Sequence, residues 1–145
     1  MAKTISKPKS TIMNSQKFIV GGIVGGIVLF LLSWVFFGML FKDTFPQPTN
    51  MIWWALILGN LILGFLISYI LGKANASSAG SGAGIGFTVG LLMSVGVTLI
   101  DYATSNSPMS NKAMGANVCS LTVMWTIAAA VVGWVRGMSK KTVAA

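Results

Sequence analysis

The side chains that could do chemistry in this chain are few. Its 145 residues include two acids, Asp43 and Asp101, ten Lys or Arg, one Cys, and neither His nor Glu. The usual His, Cys and carboxylate ligand sets for zinc or haem cannot be assembled around the single Cys119. A Ser-His-Asp arrangement is impossible within one chain that lacks His. Lys42 and Lys112 have no serine motif around them. No Gly-rich loop ends in Lys-Ser or Lys-Thr, and no G-x-G-x-x-G follows a strand. The expectation is a non-enzymatic protein with no cofactor and no metal.

Several polar groups fall inside apolar surroundings and need partners there. Asn60 is the strongest of them in the second apolar run, and an amide at that depth must bond across helices or to water. An interhelical hydrogen bond is its simpler role, and a solute contact is the other. Ser68 in the same run, and Ser94 and Thr98 in the third, raise the same two alternatives. Thr122 and Thr126 can bond back to their own helix. Asp43 adjoins Lys42, as expected of a solvated interfacial pair. Asp101 continues the third run directly and precedes Tyr102, away from the midplane where a proton-coupled transporter usually keeps its carboxylate.

Four apolar runs must position these groups, at about 18–41, 51–72, 83–100 and 113–135. Each lacks charge and reaches the roughly 18 residues needed to cross a hydrocarbon core. Composition agrees: 54% of residues are hydrophobic and 8% charged, whereas soluble domains carry about 25% charged residues. The predicted fold is all-α, an integral membrane four-helix bundle over 18–137 with basic tails at 1–17 and 138–145. The first run exceeds the roughly 7–15 residues of a signal-peptide core and reads as a retained span.

The net charge of +8 does not form a basic face interleaved with aromatics, so nucleic acid is not the expected partner. The basic residues are topogenic instead. With the N-terminus inside, Lys3, Lys7, Lys9, Lys17, Lys73, Arg136, Lys140 and Lys141 lie inside, and only Lys42 and Lys112 outside. That asymmetry predicts both termini in the cytoplasm, with Trp53 and Trp54 at the outer interface and Trp134 at the inner one. Arg136 is placed to snorkel from the end of the fourth span. The connection at 73–82 reads as a flexible Gly/Ser/Ala linker.

Small residues recur at helical spacing in every span. The first has Gly21-Gly22 and Gly25-Gly26. The second steps by four through Asn60, Gly64, Ser68 and Gly72. The third has Gly86, Gly90, Ser94 and Thr98, and the fourth Ala129, Gly133 and Gly137. Such stripes let helix backbones approach closely where lipid supplies no hydrophobic drive. A narrow pathway lined by small polar residues is the alternative use. Gly22, Gly26, Gly38 and Asp43 also match Gly80, Gly84, Gly96 and Asp101 at one offset, as two repeated helical hairpins would.

Three segments carry a resemblance: GGIVGGIVLFLLSWVFFGMLF, GFTVGLLMSVGVTLIDYATSN and MWTIAAAVVGWVRG. Together they resemble an uncharacterised family of small four-helix bacterial membrane proteins, a domain of unknown function. The resemblance covers most of 18–137 and implies the fold and a bacterial inner-membrane location, with no activity attached. Gly25-Gly26, Asn60 and Gly86-Phe87-Thr88 are also similar to pieces of small fluoride channels. The first run lacks the basic residue of those channels, and Val89-Gly90-Leu91-Leu92 replaces their polar break in the third helix, which sets the chain outside that family. Two function classes follow. One is a structural or accessory membrane component, packed in the bilayer as a homo-oligomer or against a larger membrane protein. The other is a small oligomeric channel or transporter.

Overall fold

A computed structural model describes residues 15–45, 49–106 and 109–143, with side chains described through Met138. Lys3, Lys7, Lys9, Pro46 and Pro48 lie outside the described residues, as do the side chains of Lys140 and Lys141. The described chain forms four helices: α1 (Ser15–Val35), α2 (Trp53–Lys73), α3 (Ala79–Thr104) and α4 (Asn111–Val143). A π-helical turn, Phe36–Leu40, extends α1. The shortest span, at 21 residues, is about 31 Å long at 1.5 Å per residue, enough for a hydrocarbon core of about 30 Å.

Most large apolar side chains point outward: Leu92 is 70% exposed, Ile62 58% and Ile27 54%. In water, apolar patches of that extent mark interaction sites or aggregation. Around spans of this length they are the surface that lipid wets, and the helices are apolar on all sides for that reason. Trp53 and Trp54 are exposed at one end of the bundle and Trp134 at the other.

The helices pair as two hairpins. α1 packs along α2, α3 packs along α4, and the hairpins meet mainly through α1 and α4, with α3 barely touching α2. The core is therefore an α1–α2–α4 core, built from Leu29, Ile67, Leu71, Trp125, Ala128 and Val132 among others. α3 rides on its edge. Antiparallel pairing brings the start of α1, the end of α2, the start of α3 and the last turns of α4 to one end, called here the terminal end.

The connection expected to be a flexible linker is a tight, capped turn. Asn75 adopts a left-handed φ of 53°, which Asn tolerates better than most residues. Asn75 N–H bonds Gly72 O and Ala76 N–H bonds Leu71 O, at 3.2 and 2.9 Å. This is a Schellman cap, and its characteristic apolar contact is present, since Ala76 and Leu71 join the same core. Ser78 then caps α3 through a reciprocal box with Ser81, so α3 begins at Ala79 and not near residue 83. α1 likewise begins inside the predicted tail, and Lys17 is helical. The helices of the second hairpin extend beyond the apolar runs by four residues at each end of α3 and by two and eight on α4, because hydropathy marks the stretch that lies in lipid and not where a helix ends.

The glycine correspondence at one offset does not extend to packing. Gly22 and Gly26 lie against α2, whereas Gly80, Gly84 and Gly96 face open space. The glycines of α3 that meet a partner are Gly82, Gly86 and Gly90.

Candidate functional site

The polar residues singled out in the sequence are separated by the fold into different places. Asn60 lies in the α1–α2 interface, 8% exposed. Its side-chain amide donates to Leu56 O of its own helix at 2.8 Å, in place of the cross-helix bond expected of it. Ser68 is fully buried and does bond across the hairpin, donating to Phe18 O at 2.9 Å. Gly64 lies between them, with its Cα against the backbone of Gly22 and Gly26. A hydroxyl and an amide thus bracket the point where α1 and α2 are closest.

Ser94 and Thr98 belong to the other hairpin. The buried residues of α3 are Gly82, Gly86, Gly90, Ser94 and Thr98, one per turn along a single line. Towards the terminal end the line is glycine, fitted against Ala129, Trp125 and Gly133 of α4. Towards the far end it becomes polar. Ser94 Oγ lies 3.0 Å from Thr122 Oγ1, and Asn117 Nδ2 donates to Thr98 Oγ1 at 3.0 Å. Thr122 and Ser120 also donate back to Val118 O and Ala116 O, both at 2.7 Å. Asp101 stands beyond the line, half-buried in the last turn of α3.

Asn117 and Ser120 were not singled out in the sequence. Asn117 falls near the beginning of the fourth run, where a polar residue reads as interfacial. The usable signal was its spacing: Asn117, Thr122 and Trp125 match the turns of α3 once the helices are paired antiparallel. The Asn117–Thr98 bond yields a prediction. A double-mutant cycle with Asn117→Leu and Thr98→Val, followed by reversible unfolding in mixed micelles, is expected to give a coupling of about 0.6–1.7 kcal/mol. The value is modest because a freed threonine hydroxyl can bond its own helix. Strict additivity would show that the two side chains are not bonded in the bilayer-like state.

Two cavities stand at opposite ends of the bundle. The larger, about 470 Å³, lies at the far end between the π-helical turn and the start of α2, lined by Phe30, Trp34, Phe37, Met51 and Trp53. The π-turn closes with a Phe41 N–H to Phe36 O bond of 2.8 Å; Phe36 stacks on Phe41, and Phe45 meets Phe37 and Phe41 edge-on. This cavity is apolar and contains none of the sequence-predicted polar residues. The second, about 320 Å³, lies at the terminal end between α1 and α4, lined by Lys17, Val20, Val135 and Arg136 among others.

Arg136 departs from its expected role. α4 continues to Val143, so Arg136 is not at the helix end. It is 9% exposed, and its Nε and Nη1 are buried without hydrogen-bond partners. The start of α1 and the α2–α3 turn flank this face of α4 and line the cavities beside the guanidinium.

These features define a multi-pass membrane protein of four spans arranged as two hairpins. Comparison with protein-family models, with curated proteins and with solved structures finds no match.

Proposed function

We propose that this chain is a non-enzymatic structural or accessory component of a bacterial inner-membrane assembly, with both termini in the cytoplasm. It acts by packing within the bilayer against a second copy or a larger membrane protein. The supporting observation is the use to which its membrane-buried polar groups are put. Asn60, Ser68, Ser94, Thr122, Thr98 and Asn117 each bond within the helix or hairpin that carries them. In a bilayer such bonds hold helices in register. The glycines that complete the stripes, Gly22, Gly26, Gly64, Gly86, Gly90 and Gly133, support the same reading by lying in helix–helix contacts. The orientation rests on the concentration of basic residues at the terminal end.

Two measurements test this reading. Light scattering in a mild non-ionic detergent is expected to give a defined particle larger than one 15.3 kDa chain, either a homo-oligomer or a stoichiometric complex. A monomer at every protein-to-detergent ratio overturns it. Proteoliposomes containing the chain are expected to show no small-ion or small-solute flux. Flux that disappears in Asn60→Leu would establish the channel reading instead.

A further inference from the structure

Arg136 poses a physical problem that the packing role does not solve. A guanidinium buried with unpaired donors is among the costliest arrangements a protein can hold. The chain supplies no side-chain carboxylate near it. Its two acids, Asp43 and Asp101, both lie at the opposite end of the bundle, one following α1 and the other closing α3.

What surrounds Arg136 is a built recess. The cavity of about 320 Å³ against α1 has Lys17 and Arg136 in its wall. A smaller one of about 50 Å³ is lined by the same two residues with Asn75 and Ser77 of the capped turn. Each exceeds the roughly 30 Å³ that a water occupies in the liquid. Two cations from different helices therefore share the walls of both cavities, at the level where the spans end.

We propose that this recess binds a phosphate-bearing anion, with Arg136 as its principal ligand and Lys17 as the second. The planar guanidinium fork suits bidentate recognition of phosphate oxygens, and Lys17 adds a compact second charge. At the depth where four helices leave the hydrocarbon, the anion at hand is phosphate, carried by a lipid headgroup or free in the adjoining solution. The inference does not depend on whether the chain is an accessory component or a channel.

The test uses the full chain, purified and delipidated in a non-ionic detergent. Phosphatidylglycerol and phosphatidylcholine are added separately and lipid adducts are counted by native mass spectrometry. Inorganic phosphate is titrated in parallel by calorimetry. Preferential phosphatidylglycerol adducts with no phosphate binding assign the site to a headgroup, and calorimetric phosphate binding assigns it to the free anion. Arg136→Gln is expected to weaken whichever binding is seen by about tenfold or more, and Lys17→Gln by about fivefold. Lys73→Gln, at the exposed Lys73 that stands 5.7 Å from the Tyr69 ring at the same end, is expected to leave it unchanged. Arg136→Lys keeps the charge and guards against a misfolded Arg136→Gln, and it is expected to bind between wild type and Arg136→Gln. No binding of either probe, binding undiminished in Lys17→Gln, or equal losses in Lys17→Gln and Lys73→Gln, overturns the proposal.

Discussion

Gly64→Ala is expected to destabilise the folded chain by about 2–3 kcal/mol, while Gly59→Ala on the same helix leaves it unchanged or stabilises it by up to about 1 kcal/mol. The two substitutions add the same methyl to α2, so helix propensity favours both equally. What differs is the space. A Cβ at Gly59 meets nothing within 4 Å, whereas one at Gly64 would collide with Gly26 N, Gly22 O and, at 2.7 Å, Gly26 Cα. All three are backbone atoms, which no rotamer change can move aside. The reverse face is equally closed, since a Cβ at Gly26 would lie 2.8 Å from Leu61 Cα. α1 and α2 would have to separate along their length, with loss of the Ser68–Phe18 bond as well. Reversible unfolding in mixed micelles measures both variants, and equal stabilities would refute backbone contact at this crossing.

That contact was partly legible in the sequence. The step of four through Asn60, Gly64, Ser68 and Gly72 is the buried line of α2, and Gly86, Gly90, Ser94 and Thr98 are buried as a line on α3. Spacing alone identifies such a line because every fourth residue returns to nearly the same side of a helix. It does not say which helix lies opposite. Hence Asn60 and Ser94, both polar and both buried, could be read as lining one route, although they belong to separate interfaces. Asn117 was missed for a related reason, as its depth becomes clear only when Thr98 is set against it. Arg136 was misread because its burial depends on three elements converging from distant parts of the chain. Lipid makes this limit sharper than in water. With every face apolar, hydropathy marks the spans and carries no information on which side is buried.

Gly86→Leu is expected to release α3 from α4 while leaving the helices themselves intact. The edge position of α3 dictates this outcome. Its buried surface is a line of five residues facing α4, and it has little contact with α2 to hold it otherwise. A Cβ at Gly86 already meets Ala129 Cβ and, at 2.7 Å, Trp125 O, and a leucine adds three more carbons in that space. A reporter is available further along the same line. Ser94 Oγ and Thr122 Oγ1 stand 3.0 Å apart, so cysteines at these positions, with Cys119→Ser to remove the native thiol, are within cross-linking reach. Oxidation should join them in the Gly86 background and in Gly84→Leu, whose side chain enters open space, and should fail in Gly86→Leu. Far-UV circular dichroism should stay helical in all three, because a helix in lipid satisfies its backbone bonds internally. Cross-linking that persists in Gly86→Leu would mean that the hairpin holds without the glycine line, with Asn117–Thr98 the polar pair left to hold it. The packing argument puts the larger share on the glycines, since each polar pair contributes only about 0.6 kcal/mol on average in a membrane, whereas overpacking a close backbone contact costs about 1–3 kcal/mol.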